Sequence, residues 1–190
     1  MTTGTDRRAA IGDAAIGIVA RAGLRALTHR AVDQELALPP GSTSYYVRTR
    51  RQLIEAMVHR LAGRTVDDMR PSRPPADAAE AARILAGLLD RLSRRPADHL
   101  ARFALTVDLV DDPELHAYLT AKSPIRAGAL AASTATLDEL GVPDPARHAP
   151  GLVALIDGLL FDRVAGTGRD PASRPDAESL IAAYLRGLVE

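Results

Sequence analysis

Residues 27–53 read LTHRAVDQELALPPGSTSYYVRTRRQL, and the fold turns on this stretch. Thr28 is a helix-capping residue followed by Ala31, Val32 and Leu36 at one-turn spacing, so a first helix begins here with one apolar side. Ala37 and Leu38 supply a turn, and Pro40 fits the first position of a second, short helix that runs to Tyr46. A longer third helix opens at Arg50 and carries Leu53 inward. On the short helix, Ser42, Thr43, Tyr45 and Tyr46 are the expected exposed residues, hydroxyls and phenols that hydrogen-bond without a charge to desolvate. Arg48, Arg50 and Arg51 follow directly. Short polar groups at base edges with guanidinium groups at the phosphate rim compose a reader of the DNA major groove. Two surface helices joined by a basic loop have the same composition, and these residues alone leave both readings open.

Charge bears on the choice. The 190-residue chain has 24 basic and 24 acidic side chains and no net charge. Residues 1–64 hold ten arginines against five acids, a charge of +5, which leaves −5 for residues 65–190. Attraction to phosphate needs the first part, and the second would be repelled by it. The composition, 46% hydrophobic and 25% charged without an apolar run of bilayer-crossing length, is that of a globular protein. The opening MTTGTDRRAA lacks the apolar segment of a signal peptide, so a short disordered arm and a cytoplasmic location are expected. Without cysteine there is no disulfide, thiolate nucleophile or cysteine-held zinc.

Outward from the quoted stretch, helical periodicity continues in both directions. Ile11, Ala14, Ala15, Ile18, Val19 and Ala22 predict a helix over 7–22 closed by Gly23, the floor under the two short helices. Leu53, Ile54, Met57, Val58 and Leu61 predict a helix from Arg50 to about Met69, and Pro71-Ser72-Arg73-Pro74-Pro75 marks a boundary. The expectation is therefore two domains, 1–70 and 71–190. Beyond it, helices are expected over 79–94, from Pro96 to a break at Asp111-Asp112-Pro113, as one long alanine-rich helix bent at Ser123-Pro124, and over 146–165 and 176–189, without strands. The last two helices are apolar on more than one face. Leu152, Ile156, Leu159 and Leu160 on one, with Leu180, Ile181, Tyr184, Leu185 and Leu188 on the other, suit either an ordinary core or an interface between two chains.

Chemistry at a reactive centre is not indicated. The five histidines, His29, His59, His99, His116 and His148, form no pair at ligand spacing on a helix, and no phosphate-cradling glycine loop or nucleophile elbow occurs, so no metal, cofactor or catalytic set is expected. Asp108, Asp111, Asp112 and Glu114 read as a solvated, helix-capping cluster. His99, Arg102, Phe103, Thr106, Tyr118 and Asp157 are the candidate lining of a ligand cavity in the second domain.

The succession Leu27-Thr28-His29-Arg30-Ala31-Val32, Leu38-Pro39-Pro40-Gly41-Ser42-Thr43-Ser44-Tyr45-Tyr46-Val47 and Thr49-Arg50-Arg51-Gln52-Leu53 resembles the DNA-binding domain of the TetR family of transcriptional regulators. The likeness covers about the first third of the chain. Three positions depart from the pattern: Ala37 replaces the usual turn glycine, Val47 a phenylalanine, and Pro39 a serine or threonine cap. If position 37 needs a positive φ, alanine there carries strain. The resemblance implies an all-α protein with a three-helix helix-turn-helix head and a helical domain for ligand binding and dimerisation. It implies a homodimer on palindromic double-stranded operator DNA, with recognition helices about 34–36 Å apart or at a comparable spacing, acting as a ligand-responsive regulator, most simply a repressor; the many leucines, alanines and valines and few aromatics of residues 78–190 suit a small, partly apolar effector. It places Arg30 against guanine, Pro40, Ser42, Thr43, Tyr45 and Tyr46 at bases or nearby phosphates, and Thr28, Arg48 and Arg50 on the backbone, with His29 in the same set. The dimer interface it implies falls on Leu152, Ile156, Leu159, Leu160, Tyr184, Leu185 and Leu188. The alternative is a helical small-molecule-binding or enzymatic bundle whose basic head is incidental.

Overall fold

A computed structural model describes the backbone of residues 4–68 and 73–189 and the side chains of residues 6–64 and 73–189. Among the described residues there are ten α-helices and no strand. In chain order they are α1 (Gly4–Ala22), α2 (His29–Glu35), α3 (Ser42–Tyr46), α4 (Arg50–Asp68), α5 (Ala78–Ser93), α6 (Pro96–Asp108), α7 (Pro113–Leu119), α8 (Pro124–Glu139), α9 (Pro145–Ala165) and α10 (Ala177–Val189). Short 3-10 turns at Leu24–Ala26, Thr167–Arg169 and Pro171–Ser173 complete the connections. Met69, Pro71 and Ser72, the expected end of the fourth helix and start of the boundary, lie outside the described residues.

Three local expectations are corrected. The helix at the start reaches back to Gly4, so the expected disordered arm is helical over most of its length. Pro40 is not the first residue of α3: Pro39 and Pro40 form a turn closed by the Ser42 N–H on the Pro39 carbonyl at 3.1 Å, and the helix starts at Ser42. Instead of one bent helix across Ser123-Pro124 there are two, α7 and α8, because the Thr120 and Lys122 N–H groups close α7 on Ala117 and proline then opens a new helix.

The packing units are interleaved in sequence. Unit 1 comprises Met1–Arg64 with Ala97–Ser123, and unit 2 comprises Thr65–Pro96 with Pro124–Glu190. The core of unit 1 joins Ile11, Ala15 and Ile16 of α1, Val32 of α2 and Leu53, Met57 and Leu61 of α4 to Ala101, Leu105, Leu109 and Leu115 from α6, α7 and their link. The floor beneath the three-helix head is thus built from two distant segments. Ions reinforce it: Arg60 Nε meets Asp13 at 2.6 Å, Arg64 reaches the same carboxylate at 2.7 Å, and Arg64 also meets the buried Asp98 of α6 at 3.0 Å. At the other end of α4, Arg51 holds Asp112 and Glu114 at 3.5 and 2.7 Å. Unit 2 packs α5, α8, α9 and α10 around Leu89, Leu137, Leu152, Leu160, Ile181 and Leu185, all buried. Arg163 of α9 meets Asp90 of α5 at 2.6 Å.

The end of α2 explains one departure from the family pattern. The Leu38 N–H reaches the Asp33 carbonyl at 2.8 Å and the Ala37 N–H the Gln34 carbonyl at 3.1 Å, the paired bonds that close a helix through a left-handed residue. That residue is Ala37, at φ 51°. The same pair of bonds closes α8, where Gly141 at φ 70° holds the equivalent place. An L side chain in this conformation costs about 1–2 kcal/mol, of which glycine's greater freedom in the unfolded chain offsets about 0.4–1. Ala37→Gly is therefore expected to stabilise the protein by roughly 0.5–1 kcal/mol in urea unfolding; a loss of stability would show that the strain is relieved elsewhere.

Candidate nucleic-acid interface

The helix α3 has five residues, too few to be stable alone, so its orientation depends on what grips it. The grip comes from two residues one turn apart on α2. Asp33 is buried, and its carboxylate accepts from the Gly41 N–H at 2.7 Å, the Thr43 N–H at 2.7 Å and the Thr43 hydroxyl at 2.6 Å. Four residues earlier, His29 Nε2 lies 2.7 Å from the Val47 carbonyl; a carbonyl only accepts, so this nitrogen carries the proton. A carboxylate at the N-terminus of α3 and an imidazole N–H at its C-terminus are the signs its dipole favours. Pro39 cannot cap α3, and Gly41, at φ 89°, offers no side chain; Asp33 supplies the cap from the neighbouring helix.

Around this clasp, Thr28 caps α2 by accepting from the Ala31 N–H at 3.0 Å. Thr49 accepts from the Gln52 N–H at 3.1 Å while the Gln52 side chain accepts from the Arg48 N–H at 2.9 Å, a reciprocal cap on α4. The Arg50 guanidinium donates to the carbonyls of Leu27 and Leu24, the latter at 2.8 Å, and so ties α4 to the 3-10 turn before α2.

These bonds sort the residues expected at DNA. Thr28, Arg30, Pro40, Tyr45 and Arg48 are exposed, Ser42 and Tyr46 half-buried. Tyr45 is 81% exposed, edge-on to Tyr46 with ring centroids 5.1 Å apart. Thr43 is 0% exposed and its hydroxyl is spent on Asp33, so the expectation of an outward Thr43 is wrong: with Val47 it forms the inner side of α3. Arg50, exposed, gives donors to two backbone carbonyls and half-buried His29 gives its Nε2–H to Val47, so both brace the head as well. Ser44, between Thr43 and Tyr45, is exposed and completes the outward side; the inward pull of Thr43 is the signal that would have found it. Nothing in the sequence around Asp33 points to the three donors it meets.

The other expected sites are distributed differently. His99, Arg102, Phe103, Thr106 and Tyr118 lie on α6 and α7 in unit 1, whereas Asp157 lies on α9 in unit 2. His99 is buried, and the Arg102 guanidinium stacks over the Phe103 ring at 4.3 Å. Of the residues expected between two chains, Leu152, Leu159, Leu160 and Leu185 are buried inside a single chain as the core of unit 2, and Ile156, Tyr184 and Leu188 are half-buried. The exposed side of α9 is instead Gly151, Ala154, Gly158, Phe161 and Ala165, and that of α10 includes Leu180, Ala183 and Gly187. No cluster of metal-ligating side chains occurs among the described residues, and no helix among them is long and apolar enough to cross a membrane.

Burial alone pushes the Asp33 carboxyl up, but the bonds from the Thr43 side chain and from the Thr43 and Gly41 backbone, aided by His29, outweigh it and hold the group below its ordinary value of 3.8. A depressed carboxyl stabilises the fold fully above its unfolded value and loses that effect as the pH falls through the lower folded value. Asp33→Asn should therefore cost about 1–3 kcal/mol at neutral pH, the cost of donors left facing an amide, and the gap from wild type should narrow as the pH drops from about 5 towards 2. Urea unfolding across that range at fixed protein concentration checks it; a gap independent of pH would mean that the bonds to Asp33 do not depend on its charge.

A family model described as the tetracyclin repressor-like C-terminal domain matches residues 76–190, more than half of the chain. No curated protein sequence matches. Among solved structures, a TetR-family transcriptional regulator from Rhodococcus sp. aligns at 20% identity and TM-score 0.71, covering 98% of this chain and 100% of its own. A TetR-family member from Streptomyces coelicolor A3 aligns at 25% identity and TM-score 0.65, covering 97% and 99%. The multidrug binding protein EbrR, solved with proflavin, aligns at 28% identity and TM-score 0.61, covering 96% and 99%. With a clasped helix-turn-helix ahead of a C-terminal domain that matches the family model, the chain belongs to the TetR family of transcriptional regulators.

Proposed function

We propose that this regulator is a repressor that binds a two-fold symmetric operator as a homodimer and is released by a small, partly apolar effector. The observation that carries the reading is the outward side of the clasped head: Ser44 and Tyr45 on α3, Arg30 on α2 and Arg48 behind them, exposed in the part of the chain that holds the +5 charge. Uncharged donors and acceptors suit base edges, and exposed guanidinium groups suit guanine or phosphate. Arg30 takes the base-reading role and Arg48 the phosphate role. Thr28 and Pro40 stand at the rim.

Dimerisation is assigned to the exposed side of α9 and α10. Alanine and glycine at 154, 158 and 165 let a second helix pair approach closely, and Phe161 and Leu180, 48% and 45% exposed, supply apolar area. Two heads held by such a bundle engage two half-sites together. Proflavin on EbrR supports an effector with a flat aromatic body. On this chain, α6 presents Arg102, Phe103 and Thr106 on one side while Ala101 and Leu105 are buried in the core under the head. An effector that repositions α6 then disturbs the floor on which the reader rests, and by linkage operator DNA weakens effector binding by the same factor.

Selection of binding sites from random DNA tests the reading, with a symmetric consensus as the expected result and no enrichment as the result against it. On the selected site, Arg30→Ala should cost about 1–3 kcal/mol and relax one base position, whereas Arg48→Ala should weaken all sequences alike and make the salt dependence shallower. Gly158→Arg separates assembly from folding. A non-glycine residue favours the helix by up to about 1 kcal/mol, while a guanidinium on the proposed interface opposes the dimer. Light scattering should show monomers with undiminished helicity and lost site binding; a Gly158→Arg dimer would place the interface elsewhere.

A further inference from the structure

The head contains a cleft beside the end of the reader helix. It has a volume of roughly 520 Å3 and lies between the start of α1, the end of α3 and one side of α4, all within unit 1. Its floor is Ala9, Tyr46, Val47 and Ala56, and its rim Arg8, Gln52, Glu55, His59 and Arg60. We propose that this cleft is a small-molecule site on the head itself, taking a monoanion with a compact apolar body, of which an aromatic carboxylate is the simplest member.

Charge selects the class. Arg60 is held by Asp13 through Nε at 2.6 Å and a second nitrogen at 3.1 Å, and Glu55 lies 3.4 Å from Arg51, a guanidinium it shares with Asp112 and Glu114, so Arg60 is engaged and Glu55 is an acid at the rim that only a monoanion held by Arg8 on the opposite side can tolerate. Gln52 is engaged in capping α4. What remains is Arg8, exposed, with a single long bond of 3.4 Å from its guanidinium to the Tyr46 carbonyl, and the exposed His59 imidazole. A guanidinium has five donors in a planar fork, so Arg8 keeps that bond and still offers a carboxylate two parallel ones. The apolar floor rewards a ring or short hydrocarbon and gives nothing to inorganic phosphate. The volume lies in the range of drug-sized ligand pockets.

The position gives the site a consequence independent of the effector proposed above. A molecule on this floor touches Tyr46 and Val47, the end of the reader helix that His29 and Arg8 hold by its carbonyls. Occupancy would lock or shift that end directly, without any change in the helices of unit 2.

Benzoate titrated into the full-length protein, followed by heteronuclear NMR at the amides of Arg8, Tyr46, Ala56 and His59, tests this. Saturable shifts at a Kd of about 1 mM or tighter are expected. Arg8→Glu, a change at an exposed position, should weaken binding by about tenfold or more, and Ala56→Leu should block the floor, each with the unfolding transition recorded alongside. Inorganic phosphate at the same concentration should leave these amides in place. Non-saturable shifts, equal shifts with phosphate, or unchanged benzoate affinity in the folded Arg8→Glu protein would overturn the proposal, whatever the protein does with DNA.

Discussion

A buried carboxylate on one helix supplies the cap that the next helix cannot provide for itself. Asp33 gathers two backbone N–H groups and one hydroxyl from the first turn of α3, and a helix of five residues needs that much outside support. The remaining features of the head follow from it. Thr43 must turn inward to meet the carboxylate, which rotates Ser44 and Tyr45 outward. Gly41 must adopt a left-handed backbone to present its N–H. His29 then fixes the opposite end. An exposed serine or threonine cap could fray in water, whereas a carboxylate from the protein interior sets both the position of α3 and its rotation about its axis.

The second constraint is the shared core. Because α6 and α7 contribute Ala101, Leu105 and Leu115 to the same apolar cluster as Leu53 and Met57, the head is not a module resting on a separate domain. The Arg64 bridge between Asp13 and Asp98 adds a polar link from α1 through α4 to α6. Closely packed side chains do not deform continuously, so a change imposed on α6 passes to the helices that touch it. The part of the chain that carries Arg102 and Phe103 therefore shares its core with the reader.

Most of this architecture is legible in the sequence, and the misreadings share a cause. One-sided apolar spacing points to α1, α4 and the last two helices, and the left-handed backbone at Ala37 is signalled by the resemblance, through the turn glycine that this alanine replaces. Periodicity says which residues are apolar together, but not against what they pack. Leu152, Leu159, Leu160 and Leu185 satisfy an interface pattern and a core pattern equally, and the structure uses them as core. Thr43 has the composition of a DNA contact, yet its hydroxyl finds a nearer partner inside the head, in Asp33. A polar residue's role depends on the closest unsatisfied group in three dimensions, which linear spacing does not reveal.

The clasp can be observed directly through the amide hydrogens it immobilises. Native-state hydrogen exchange resolves individual N–H groups, and those of Gly41 and Thr43 have Asp33 and no α-helical carbonyl as their hydrogen-bond partner, so the part of their protection that Asp33→Asn removes comes from the carboxylate. Exchange at both positions as slow as at Leu53 in the core of α4, and released selectively at those two positions in Asp33→Asn while Leu53 stays protected, is the predicted result. Rapid exchange at Gly41 and Thr43 in the wild-type protein would contradict it, since the reader helix would then be held by something other than the carboxylate beneath it.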